Sequence, residues 1–306
     1  MTLAIISHPD CLLHDPGKHH PEQADRIRVI EKEIKNSNLE FVEYQAPKAT
    51  MDQLCRVHDK SYIDFIFKQS PTSGFVGLDA DTWMNPYSLQ AALVAAGSGI
   101  LAVDLVMTNQ AKHVFCNIRP PGHHAEKNKA MGFCFFNNVA VAAAYAKDHY
   151  QLKRIAIVDF DVHHGNGTEN IFQNDESILY CSSFESPFYP FSGADTQSSH
   201  ILNIPLPAGT TGDIFREKTQ EYWFENIIRF NPEIIFISAG FDGFIEDEMS
   251  DFMLTENDYA WITGEIKKIA DETCQGRVIS MLEGGYDLAG LGRCVLTHLQ
   301  ALSDMK

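Results

Sequence analysis

Four short apolar runs in this 306-residue chain each end in side chains able to do chemistry. Residues 113–118 lead into Arg119-Pro120-Pro121-Gly122-His123-His124, and residues 155–158 into Asp159-Phe160-Asp161-Val162-His163-His164-Gly165-Asn166-Gly167. Residues 234–238 lead into Ala239-Gly240-Phe241-Asp242-Gly243, and residues 278–282 into Glu283-Gly284-Gly285-Tyr286. Taken singly, Gly284-Gly285-Tyr286 reads as a turn and His123-His124 as a solvated loop. The Asp159, Asp161, His163 spacing resists that reading. Two carboxylates leaving a buried strand face a desolvation cost on the order of several kcal/mol unless they are paired or bind metal. Alternate residues of an extended segment share a side, which groups these three. Imidazole and carboxylate without thiolate suit zinc or another borderline divalent cation. Three protein ligands with an open fourth place define a catalytic rather than a structural zinc. Asp161, His163 and Asp242 supply three.

The elements that must position these groups follow from the hydrophobic pattern. Strand candidates lie at 3–6, 113–118, 155–158, 178–182, 234–238 and 278–282. Most are continuous Val/Ile/Leu/Phe runs, as in parallel sheets covered on both faces. Helical patterns fill 26–37, 88–107, 139–150, 216–230 and 256–273, with Asn138 and Thr255 as N-caps of the third and fifth. The alternation predicts an α/β fold. We expect a single domain over residues 1–306, with a multi-stranded, mostly parallel sheet flanked by helices on both faces. Ligands of such sheets sit outside the carboxyl ends of the strands, where all four segments lie.

Composition narrows the function. The 24 basic and 41 acidic side chains give a net charge of −17, which disfavours nucleic acid as a direct partner and favours cationic substrates. A hydrophobic fraction of 44% excludes intrinsic disorder. Seven cysteines without a CxxC pair read as reduced thiols. The first eight residues lack the basic and apolar regions of a secretory signal. Residues 91–107 include Ser98 and Asp104 and fall short of the roughly 20 residues of a spanning helix, so we expect a buried helix and no membrane partner. The expected location is the cytoplasm. The 13 histidines are a surplus for so acidic a chain.

These residues resemble the zinc-dependent histone deacetylase family, within the arginase–deacetylase fold. The likeness runs from His19-His20-Pro21-Glu22 and Val57-His58 to Glu283-Gly284-Gly285-Tyr286. It is carried by Arg119 to His124, by Gly132-Phe133-Cys134-Phe135-Phe136-Asn137-Asn138, by Val158 to Gly167 and by Ser238-Ala239-Gly240-Phe241-Asp242. Asn166, Gly240-Phe241 and Glu283 look like class II and its bacterial relatives.

The resemblance implies one zinc on Asp161, His163 and Asp242. It makes His123 and His124 the tandem histidines, with His124 as general base. Tyr286 would donate its hydroxyl to the acetamide carbonyl, and Asp159 would orient His123. Asn166 stands where class I enzymes carry Asp, which should leave His124 less basic. Phe133 and Tyr189 would line an acyl-lysine channel, with the Gly132 carbonyl facing the substrate N–H. The family pattern also implies structural potassium near Asp159, Asp161, His163, Ser182 and Ser183, and a second near Phe172, Asp175 and Ile178.

The implied reaction is zinc-dependent hydrolysis of an N-acetyl amide. Acetyl-lysine in proteins or peptides is the first substrate expected, and acetylpolyamine the alternative. Met249 occupies the gatekeeper position, and its apolar side chain favours lysine. Its neighbours Glu246, Asp247 and Glu248 could attract a polycation instead. Asp81 is the rim residue expected to meet the substrate backbone. A binuclear manganese ureohydrolase would need a second Asp-rich strand end, and a reader without catalysis would need damage at His123, His124 or Tyr286. Oligomeric state is left open.

Overall fold

A computed structural model describes residues 3–303. Met1 and Thr2, part of the N-terminal reading, and residues 304–306, part of the single-domain span, lie outside the described residues. In chain order the strands are β1 (Leu3–Ser7), β2 (Phe41–Gln45), β3 (Val76–Gly77), β4 (Trp83–Met84), β5 (His113–Cys116), β6 (Ile155–Asp159), β7 (Ile178–Glu185), β8 (Ile201–Leu206), β9 (Ile234–Ala239) and β10 (Val278–Leu282). The helices are α1 (Asp25–Asn36), α2 (Met51–Leu54), α3 (Lys60–Gln69), α4 (Ser88–Met107), α5 (Asn138–His149), α6 (Asn166–Phe172), α7 (Gly212–Thr219), α8 (Glu225–Phe230), α9 (Glu256–Thr273) and α10 (Leu288–Leu302).

Eight strands form one sheet in the order β2-β1-β5-β10-β9-β6-β7-β8, every neighbouring pair parallel. β3 and β4 make a small antiparallel ribbon beside it. The period of two divides the core. Ile155 and Ile157 of β6 join a layer under α4 and α5, while Ala156 and Val158 join one under α1, α9 and α10. Both faces of the sheet are covered by apolar residues, which explains the near-continuous apolar strands. α4 is long and apolar enough to cross a membrane by composition, but it is mostly buried against the sheet, as expected of residues 91–107.

The four strands that carry the chemical segments are β5, β10, β9 and β6, consecutive neighbours at the centre of the sheet. Their carboxyl ends therefore meet without any long excursion of the chain.

Several elements differ from the sequence expectation. β2 was hidden because it is an edge strand with half-exposed, mixed residues. β8 carries Pro205, which only an edge strand tolerates because proline cannot donate to a ladder. The helix expected at 216–230 is two helices, α7 and α8, joined by a π-helical turn over Gln220–Phe224. α10 was obscured by Gly290 and Gly292 near its start, and Asp287 caps it by accepting the Gly290 N–H. Asn137, not Asn138, caps α5, accepting the Ala140 N–H at 3.0 Å. Asn138 instead donates to the Pro120 carbonyl at 3.1 Å. Thr255 begins α9 as expected, with its N–H and hydroxyl both donating to Asp258.

His298 lies wholly buried between α9, α10 and β10, bonded to Thr263 Oγ1 at 2.6 Å and Ser280 Oγ at 2.8 Å. Burial holds its pKa down to about 3. A histidine kept neutral in the fold but free to charge when unfolded stabilises above its unfolded pKa and loses that contribution as pH falls. Urea unfolding at pH 7 and pH 5 should therefore show His298→Gln losing roughly 2 kcal/mol less than the wild type between the two.

Candidate active site

The loops after β6 and β9 bring Asp161, His163 and Asp242 together. One ligand atom from each lies within 4.8 Å of the others, and all three residues are buried. His163 Nδ1 is 3.1 Å from Asp161 Oδ1 and 3.1 Å from Asp242 Oδ2. The remaining carboxylate oxygens are fixed by backbone donors, Asp161 Oδ2 by Gly284 N–H at 2.9 Å and Asp242 Oδ1 by Val162 N–H at 3.1 Å. A Cβ on Gly284 would collide with both carboxylates, so only glycine fits there. Burial opposes charge on His163, but its bonds to Asp161 and Asp242 outweigh that and push its pKa up to about 10. Burial, with Asp161 nearby, pushes Asp242 up to about 6. Two buried carboxylates facing one imidazole balance their charge only with a proton or a divalent cation among them. The donor set fits zinc.

The tandem histidines sit beside this centre, their ring centroids 4.0 Å apart. His123 Nδ1 is 3.1 Å from Asp159 Oδ2, which also lies 2.9 Å from the Tyr180 hydroxyl. Burial opposes its charge, but Asp161 and then Asp159 prevail and push its pKa up to about 10. A cation on Asp161 would cancel that residue's share and leave Asp159's. His124 Nδ1 is 2.8 Å from Asn166 Oδ1. Burial and the neighbouring His123 and His163 hold its pKa well below the usual imidazole value. The two rings thus differ in partner, a carboxylate on His123 Nδ1 and a neutral amide on His124 Nδ1. Glu283 accepts the N–H groups of Gly122 at 2.7 Å and His123 at 3.1 Å, and the Ser238 hydroxyl at 3.0 Å, so it fixes the loop that carries the pair.

Tyr286 completes the group from β10. Burial pushes its hydroxyl pKa well above the ordinary range, so it stays a donor at neutral pH. Its loop is held from two sides. Arg26 donates to the carbonyls of Gly285 and Glu283, pairs with Glu22 and lies 4.9 Å from the Tyr286 ring centroid. Arg119 pairs with the same Glu22 through two nitrogens, all of it buried. On the other side Asp247 accepts the N–H groups of Tyr286, Asp287 and Met249.

A cavity of about 340 Å³ descends to this centre between Phe133, Phe188, Tyr189 and Met249, with Asp81 and Gly132 also in its wall. Gly132 and Phe133 both have left-handed backbone, φ +56° and +68°. A side chain on Gly132 would strike the His124 ring. The Gly132 carbonyl accepts the Cys134 thiol at 3.2 Å, and Asp81 Oδ1 accepts the Gly132 N–H at 3.2 Å.

The acidic rim differs from expectation. Asp247 is only 5% exposed and serves the backbone, and Glu246 is paired with Arg293 at 2.8 Å. Glu248 alone of the three has no hydrogen-bond or ion-pair partner among the described residues.

At the first expected potassium position, Ser182 pairs in register with Asp159, and the hydroxyls of Ser182 and Ser183 are buried without partners. These oxygens, on the strand next to Asp159, fit a hard monovalent cation. At the second, Phe172 and Asp175 carbonyls accept the N–H groups of Asp175 at 2.9 Å and Ile178 at 3.0 Å. Lys147 holds the Asp175 carboxylate at 2.6 Å, and His200 meets the Phe172 carbonyl at 3.3 Å. Each of these oxygens has a protein donor, and among the described residues no buried orphaned side-chain oxygen marks the second position as it does the first.

Comparison with known proteins agrees with this geometry. The family model described as Histone deacetylase domain matches residues 20–302. The chain belongs to the histone deacetylase family. It is 34% identical to the Histone deacetylase-like amidohydrolase of Pseudomonas aeruginosa, over 97% of this chain and 84% of that protein. It is 36% identical to Histone deacetylase 14, chloroplastic, of Arabidopsis thaliana, over 97% of this chain and 73% of that one. Against Type-2 histone deacetylase 2 of Dictyostelium discoideum it is 36% identical, but spans only 21% of that protein's length. The solved structure "Crystal Structure of HDA15 HD domain" superposes with a TM-score of 0.92 at 30% identity, covering 98% of this chain and 88% of that one. As a histone deacetylase family hydrolase with the arginase–deacetylase fold, the chain carries its four chemical segments at the strand ends where the fold converges.

Sequence reasoning passed over Arg26 and the positioning roles of Arg119, Asp247 and Glu283. The available signal was slight: Arg119 directly follows a continuous apolar run, and a charge there needs a partner. Asp242→Ala should abolish retained divalent metal after dialysis, whereas Asp247→Ala should keep it and lose at least about 2 kcal/mol of stability. Metal analysis with urea unfolding separates the two.

Proposed function

We propose that this protein is a zinc-dependent amidohydrolase that removes acetyl groups from acetyl-lysine side chains of proteins or peptides, giving acetate and a free amine. The observation that carries the reading is the aromatic-walled cavity lined by His124, His163 and Tyr286, with His163 grouped behind it with Asp161 and Asp242. Zinc bound there supplies a Lewis acid for the amide carbonyl and lowers the pKa of water for attack near neutral pH.

The chain's own residues do the rest. His124, neutral and with Nδ1 tied to Asn166, takes the proton of the attacking water at Nε2. Tyr286 donates its hydroxyl to the oxyanion that develops on the carbonyl. His123, kept protonated by Asp159, gives its proton to the departing amine, otherwise a very poor leaving group. Phe133, Phe188 and Tyr189 hold the alkyl stem and exclude water. Potassium at Asp159, Ser182 and Ser183 would be structural.

The rim supports lysine over polyamine. Gripping a second ammonium requires a free carboxylate at the mouth. The gatekeeper is Met249, Asp247 is committed to backbone donors and Glu246 to Arg293, so Glu248 is the single uncommitted carboxylate of that loop, against the several a polycation would need. The acidic surface still suits substrates whose surroundings are cationic. The seven unpaired cysteines fit a reducing compartment, and we place the protein in the cytoplasm.

Steady-state assays on acetyl-lysine peptides, acetylputrescine and acetylspermidine, with metal content measured, test the substrate class. Higher kcat/KM on peptides is expected, and higher values on the polyamines would reverse it. Tyr286→Phe should retain zinc and lose at least ~10²-fold in kcat, as when one oxyanion donor is removed.

A further inference from the structure

His124 can act as a base only if its proton sits on Nδ1 and Nε2 is free. Its partner on that side is an amide, Asn166, whose oxygen accepts but whose nitrogen donates. Turned by half a rotation, Asn166 would present its NH₂ to Nδ1 and drive the proton to Nε2. An aspartate at this position would have no such ambiguity. Something else must fix the amide.

The structure supplies it. Asn166 Nδ2 is 2.8 Å from Glu126 Oε1 and 3.3 Å from Met131 Sδ. A carboxylate and a thioether can only accept, so the NH₂ faces them and the amide oxygen faces His124. Glu126 is itself held at both backbone groups. Its N–H donates to the Lys129 carbonyl at 3.0 Å, and its carbonyl lies 2.9 Å from His58 Nδ1. His58 Nε2 accepts the Asn137 N–H at 2.9 Å, which leaves the His58 proton on Nδ1, directed at Glu126. Burial keeps His58 neutral, with its pKa down to about 4. The Val57-His58 segment thereby gains a task that the reaction scheme had not given it.

We propose that Glu126 is a positioning residue that selects the working tautomer of His124 by orienting the Asn166 amide. The proposal rests on His124 being the base of the deacetylation proposed above. It replaces one charged contact, at the imidazole, with a neutral contact whose direction a carboxylate fixes from one residue further out.

The test uses the zinc-loaded protein with ¹⁵N-labelled histidine. Imidazole ¹⁵N shifts should place the His124 proton on Nδ1 in the wild type and move it to Nε2 in Glu126→Leu. An unchanged tautomer in that variant overturns the proposal. In kinetics, Glu126→Leu should lose at least about 10-fold in kcat with KM and zinc content unchanged, the scale of one charge-assisted hydrogen bond. Glu126→Gln keeps a carbonyl that can receive Asn166 and should stay within about 5-fold of wild type; equal losses in the Gln and Leu variants would assign the effect to lost charge and overturn the proposal. Asn166→Asp can only accept, so Glu126→Leu should cost it less than about 3-fold; the full loss persisting there would mean that Glu126 is merely structural. A wild type inactive on every acetyl substrate would sink the deacetylase reading, while the ¹⁵N shifts still decide the role of Glu126.

Discussion

The placement of Asp161 and Asp242, two carboxylates without access to water at the ends of adjacent strands, is the constraint on which the rest of the site depends. Desolvated charge is tolerated only when every oxygen is satisfied. The outer oxygens take backbone donors from Gly284 and Val162, and the inner ones converge on His163. That requirement dictates much else: a glycine just after β10 where any side chain would intrude, and a parallel sheet whose β9 and β6 lie side by side. Around this centre lie three more buried carboxylates, Glu22, Asp159 and Glu283, each with its own cationic or N–H partners. The low dielectric strengthens all of these contacts and makes each costly to leave unmade.

Much of this was legible from the amino-acid sequence, for definite reasons. β6, β9 and β10 are doubly buried, so their apolar runs are continuous, and the chemical residues follow them at once. α4 and α9 begin and end where their patterns do, at Ser88–Met107 and Glu256–Thr273. The edges were harder. β2 and β8 carry half-exposed residues and a proline, so periodicity and propensity both weaken there. Asn137 and Asn138 are adjacent and chemically alike, and only the backbone geometry distinguishes the cap from the residue that braces Pro120.

Positioning residues were the least visible part of the site. Asp247 sits among Glu246, Glu248 and Asp251, and composition alone cannot separate a buried acceptor of three N–H groups from a solvated neighbour. The same holds for Arg26, which lies on a helix with an ordinary amphipathic pattern yet reaches the carbonyls under Tyr286. Charge counted along the chain overstated the field at the channel mouth, because two of its three rim carboxylates are consumed by the fold.

That consumption has an outcome for how the protein can change. Asp247 fastens the Met249 backbone and the Tyr286 backbone with one carboxylate. On the proposed reaction, the residue that screens what enters and the residue that assists bond breaking are therefore mechanically joined. Remodelling the mouth loop by insertion, deletion or charge exchange perturbs turnover together with selectivity. Evolution toward new acylated amines is thus channelled to the opposite wall, Phe188 and Tyr189, which hangs from a separate loop.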